Sequence, residues 1–182
     1  LEMAEERIAE RIDANLLDVT IDDLYEMPKE IYDNKTSKMQ NKTNGQLIIK
    51  EYPTASAHAG HFKSLLDELA LKKAFKPDLI FIDYLNICTS SRFKGGNINS
   101  YTMVKSIAEE LRGLAVQYNV PIVSATQTTR TGYLSSDVGL EDTSESFGLP
   151  ATADFMFALI SNDELEELGQ IKVKQLKNRY ND

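Results

Sequence analysis

The chain has one cysteine, Cys88, and two histidines. No internal disulfide can form, and no zinc site of the usual kind can be completed, so redox and zinc chemistry are not expected. No apolar run is long enough to cross a bilayer. The first residues have the acidic, amphipathic pattern of a helix and not the apolar core of a signal peptide, which leads to the expectation of a cytoplasmic protein without membrane partners. Positive charge is also scarce: 20 Lys and Arg stand against 28 Asp and Glu, a net charge of -8. Coating a nucleic acid through bulk charge is therefore disfavoured, and any polyanion would have to be gripped by local loops. The glycine-rich phosphate loop G-x-x-x-x-G-K-[ST] is missing, and the dipeptide Gly-Lys occurs nowhere in the chain.

What is present is a globular composition in 182 residues, enough for one domain with a core. Ile8, Ile12, Leu16 and Leu17 recur at helical spacing between Met3 and Leu17. Thr20 with Asp23 resembles a helix start, and Pro28 can open a further helix toward Lys42. "QLIIKEYP" reads as a strand ended by Pro53, and Phe62, Leu65, Leu66 and Leu69 stripe a helix running to Phe75. His58 and His61 have a spacing that could suit a metal, but no third ligand is evident, and the start of a surface helix is the better reading.

"KPDLIFIDYLNIC" places an apolar strand over Asp78 to Asp83, apolar enough for burial on both faces. The polar loop "TSSRFKGGNINS" follows it. Val104, Ile107, Ala108, Leu111, Leu114, Ala115 and Tyr118 then mark an amphipathic helix, and "VPIVSATQ" a second buried strand. A long polar loop spans Thr128 to Asp142. "ADFMFALI" and "GQIKVKQL" close the chain as an antiparallel pair. Strands alternating with helices predict an α/β fold with a mainly parallel sheet flanked by helices and antiparallel C-terminal strands. Ligands in such sheets sit at the carboxyl ends of the strands, where Asp83 and Gln127 fall. A carboxylate there can hold Mg2+ through water beside a nucleotide phosphate, or it can cap the following turn; "IFIDY" alone allows both.

Five stretches, "LEMAEERIAERI", "LIFIDYLNI", "VPIVSATQTTR", "ESFGLPATADFMFAL" and "IKVKQLKNR", together resemble the successive motifs of the RecA-like motor domain of DnaB-type hexameric replicative DNA helicases, closest to the T-even-type phage branch. The resemblance covers essentially residues 1–182, as part of one ATPase domain. It implies that the strand, phosphate loop and helix opening that domain lie upstream, leaving the fold incomplete at its N-terminus. It also implies ATP and Mg2+ as cofactors, a hexameric ring moving 5' to 3' on single-stranded DNA, and a primase and a helicase loader as partners. If the protein is phage-encoded, its place is the host cytoplasm.

Carried over residue by residue, the resemblance makes Glu2 the carboxylate that polarises the attacking water and Asp83 the Mg2+-associated acid. Gln127 becomes the sensor of the terminal phosphate, with Arg130 following in a Gln-x-x-Arg pattern. Lys177 and Arg179, whose spacing puts both side chains on one side of a strand, would reach a neighbouring subunit's nucleotide, the arginine as a finger. Arg92 and Lys94, with the segment holding Glu145, Ser146 and Phe147, are candidates for DNA contact. Ser144 and Phe147 replace an arginine and a glycine of the bacterial pattern, so the family's phosphate-gripping arginine has no counterpart there. Two readings compete: a recombinase-type RecA-like ATPase, which would share Glu2, Asp83 and Gln127 but not the Lys-x-Arg pair at the chain end, and an inactive binding module without the phosphate loop.

Overall fold

The computed structural model describes residues 3–93, 98–128, 139–140 and 148–181. The chain divides into two compact units, Leu1–Pro53 and Thr54–Asp182.

The first unit contains α1 (Glu5–Leu17), α2 (Ile21–Glu26) and α3 (Lys29–Gln40). The Thr20 side chain accepts from the Asp23 amide, and Asp23 returns the bond to the Thr20 amide, a full capping box at the start of α2. Tyrosines tie these helices together: Tyr25 donates to Glu10 at 2.7 Å and Tyr32 to Asp13 at 2.6 Å. The bond to Asp13, with burial, pushes the Tyr32 phenol up to about 12. The segment expected as the strand "QLIIKEYP" is not one. Residues 46–53 form no strand and Leu47 is exposed, and their own unit contains no described strand that could take their backbone hydrogen bonds. The Glu51 amide donates instead to the Glu5 carboxylate, at 2.7 Å.

The second unit holds α4 (Ala59–Lys73), β1 (Ile80–Ile82), a 3-10 turn (Leu85–Ile87), α5 (Ser100–Tyr118), β2 (Ile122–Ser124), α6 (Gly148–Thr152), β3 (Phe155–Ile160), α7 (Asp163–Glu167) and β4 (Lys172–Asn178). His58 and His61 start α4 as a capping pair: Nδ1 of His58 accepts from the Gly60 amide at 3.0 Å, and Nδ1 of His61 from the His58 amide at 3.2 Å. Val104, Ile107, Ala108, Leu111 and Leu114 are buried on one stripe of α5, which packs against α4, α6, β2 and the 3-10 turn.

β1 and β2 pair in parallel, and β3 and β4 pair antiparallel, as two separate two-stranded sheets. One expectation fails here. β1 and β2 are not buried on both faces: Ile82 is buried, but Phe81 is 70% exposed and Val123 is exposed as well. Period-two alternation sends these side chains to the face that no described element of the unit covers. β3 behaves the same way, with Ala158 and Ile160 packed against Leu176 while Phe155, Phe157 and Leu159 face outward.

Candidate functional site

Parallel pairing of Ile80 with Ile122 and Ile82 with Ser124 brings the carboxyl ends of β1 and β2 to one edge. Backbone and side-chain bonds together continue the pairing beyond the strands. The Ser124 hydroxyl donates to the Ile82 carbonyl at 2.7 Å, the Leu85 amide to the Ala125 carbonyl at 3.1 Å, and the Thr126 hydroxyl to Asn86 Oδ1 at 2.8 Å. Gln127 Nε2 then donates to the Tyr84 hydroxyl at 3.2 Å. Gln127 is thereby tied to the residue that follows Asp83, and both site residues remain exposed. An amide held by one N–H keeps a second donor and a carbonyl for a ligand, while a carboxylate beside it can attract a cation. Among the described residues no group of three His, Cys, Asp or Glu could hold a metal. A cation at Asp83 would need waters and phosphate oxygens for its remaining ligands.

Below this edge the loop carrying Arg92 is clamped to α5. Glu110 accepts from the Ser90 hydroxyl, from the Ser91 amide at 3.1 Å and from the Ser91 hydroxyl at 3.0 Å. Arg92 donates to Glu109 and has its Nε 3.9 Å from Glu110. Burial pushes the Glu110 carboxyl up, but the bonds from Ser90 and Ser91 and the charge of Arg92 outweigh it, leaving the group below its ordinary value. Arg92, expected as a cation for DNA, is thus paired with two carboxylates.

Lys177 and Arg179 meet the carboxyl-terminal turn of α6. A β-bulge aims them there. Phe157 pairs with Gln175 but Met156 with Lys177, so Leu176 is an extra residue, and Lys177 turns to the face of Met156, Ala158 and Ile160. Its ammonium donates to the Pro150 carbonyl, and Arg179 Nη2 to the Ala151 carbonyl at 2.7 Å. Both side chains do lie on one side of the strand. Burial, then the nearby Arg179 charge, lowers the Lys177 ammonium. Glu2, Lys94, Arg130, Glu145, Ser146 and Phe147 lie outside the described residues.

The structure thus places Asp83 and Gln127 at the same edge of the parallel pair, Gln127 bonded to Tyr84, and separately brings Lys177 and Arg179 to one turn. Sequence reasoning missed Tyr84 and Glu110. Only the bulge had a legible signal: the apolar alternation of Ile171 and Val173 shifts by one residue at Leu176.

The profile of the family described as "DnaB-like helicase C terminal domain" matches residues 1–179. The chain belongs to this family. A DnaB-like replicative helicase of Enterobacteria phage T4 is 50% identical over the whole chain, which spans 39% of that relative. A probable plasmid replicative DNA helicase of Chlamydia trachomatis is 29% identical over 71% of the chain and 28% of its own length. Among solved structures, an isolated ATPase domain superposes with a TM-score of 0.78 at 16% identity, covering 100% of this chain and 66% of that one. A DnaB-like replicative helicase whose structure was described with its interactions with primase gives 0.77 at 17%, covering 98% of this chain and 44% of that one. The fold is that of these ATPase domains, α/β with a parallel pair and an antiparallel carboxyl-terminal pair. Among the described residues of this DnaB-like chain, no helix is long and apolar enough to cross a membrane.

Proposed function

We propose that residues 1–182 are part of the RecA-like motor domain of an ATP-driven, ring-forming replicative DNA helicase that translocates 5' to 3' on single-stranded DNA. Membership in the DnaB-like family supports this reading. The observation that carries it is the junction at the ends of β1 and β2, where Gln127 is tied through Tyr84 to the position beside Asp83. Asp83 would hold Mg2+ through water, and the ion when bound would supply charge neutralisation to the phosphates. Gln127 reads the terminal phosphate, Arg130 extends that contact, and Glu2 orients the attacking water. Lys177 and Arg179 serve the nucleotide of the next subunit, which requires a head-to-tail ring. Arg92, Lys94, Glu145, Ser146 and Phe147 belong to loops that follow the DNA backbone without reading bases. A primase and a loader act with the ring, in the host cytoplasm if the protein is phage-encoded.

The test uses the full-length protein on forked duplexes with a single 5' or a single 3' tail. DNA-stimulated ATPase and unwinding that needs the 5' tail are expected, and Asp83→Asn should abolish both while rings still form. Unwinding from the 3' tail, or full turnover by Asp83→Asn, would defeat the proposal.

A further inference from the structure

Asp154, between α6 and β3, carries two guanidinium groups. Arg112, from α5, donates through Nη1 to both Asp154 oxygens and to the Thr152 carbonyl, each at 2.8 Å. Arg179 Nε lies 2.9 Å from Asp154 Oδ1, and its Nη2 also reaches the Thr152 and Ala153 carbonyls at 3.3 Å. The Arg179 amide donates to the Asp154 carbonyl at 2.9 Å, so backbone and side chain are fixed by one residue. One edge of the guanidinium, Nε with Nη2, is therefore consumed. Nη1 carries no hydrogen bond among the described residues, and the side chain is 36% exposed.

This is how a long side chain is prepared to act at a distance. A free arginine loses rotamer entropy when it is immobilised by a ligand, and holding one edge of its planar fork removes most of that cost before the ligand arrives. Gripping Nε and Nη2 also fixes the direction of Nη1. We infer that Asp154 is a positioning residue that presents Nη1 of Arg179 to the neighbouring subunit's nucleotide, with Arg112 holding Asp154 in place. The inference rests on the proposed finger role of Arg179. Lys177 supports the same turn from the Pro150 carbonyl.

The experiment compares Asp154→Asn, Arg112→Gln, Arg179→Ala and the Asp154→Asn/Arg179→Ala double variant in the full-length protein. It measures turnover, KM for ATP, ring assembly, and binding of a non-hydrolysable ATP analogue and of ADP with aluminium fluoride. Asp154→Asn should lower kcat and the affinity for the fluoride complex by about 10- to 100-fold, the cost of a misplaced group. KM, analogue binding and ring assembly should stay within about twofold, and the same change should add less than about twofold in the Arg179→Ala background, because the two act as one unit. Unchanged or raised kcat in Asp154→Asn, or an equal loss without Arg179, would overturn the inference. Full turnover by Arg179→Ala would instead end the finger role itself, whatever Asp154→Asn does. Should Asp154→Asn fail to assemble, Arg112→Gln decides: it must show the same split between kcat and KM, and wild-type turnover would count against Asp154.

Discussion

Two adjacent glutamates on α5 should differ sharply when each is removed. Glu109 meets Arg92 in an exposed ion pair, worth under about 1 kcal/mol. The Glu110 side chain is only 9% exposed and accepts three bonds from Ser90 and Ser91. In Glu110→Ala the exposed Ser91 groups turn to water, but the buried Ser90 hydroxyl is left without its acceptor, a penalty of about 1–3 kcal/mol. Urea unfolding followed by circular dichroism should show Glu110→Ala destabilised by about 2–3 kcal/mol and Glu109→Ala by less than about 1. Hydrogen exchange should show lost protection of the Ser91 amide in the first variant only. The pH dependence has a fixed sign. A carboxyl held below its ordinary value of 4.5 contributes stability that is fully present above that value and disappears as pH falls through the lower, folded value. The gap between wild type and Glu110→Ala should therefore narrow in acid. Equal costs for the two glutamates, or Glu110→Ala within about 0.5 kcal/mol of wild type with Ser91 still protected, would refute the reasoning.

Three further outcomes follow from local geometry. Gly113 lies exposed on α5 with nothing within 4 Å of an added Cβ, so Gly113→Ala should stabilise the chain by about 0.5–1 kcal/mol, read as a higher melting temperature. Gly60→Ala should do the reverse despite the better helix former: its Cβ would stand 2.7 Å from His58 Cε1 and displace the ring that caps α4, costing about 1 kcal/mol in the same melt. Cys88 is buried, which pushes its thiol up to about 11, so a disulfide reagent at mildly alkaline pH should label it only slowly until urea exposes it.

The stripe of α5, the capping box of α2, the antiparallel final pair and the placement of Asp83 and Gln127 at strand ends could all be read from residue spacing, because each depends on periods of two or 3.6 residues or on a cap three residues long. "QLIIKEYP" could not. Its alternation states what the segment could pair with, and whether a partner strand lies beside it is a tertiary fact. The same reason hid the exposure of Phe81 and Val123. Glu110, Arg112 and Asp154 were illegible for another cause: charged residues on helices and in turns are ordinarily solvated, and nothing local distinguishes one that clamps a loop 20 residues away or a turn 42 residues away. Tyr84 looked like part of an apolar run, and only the fold gave its hydroxyl a partner in Gln127.

Glu110 and Arg112 are two positions apart on one helix, which at about 100° per residue puts them on nearly opposite flanks. One flank grips the loop carrying Arg92, the other the turn that holds Arg179. α5 is thus an axle with a crank pin on each side. Its radius with side chains is about 5 Å, so a roll of about 20° carries each pin through about 2 Å, in opposite directions. Together the two grips make one helix the shared footing of the Arg92 loop and the Arg179 turn.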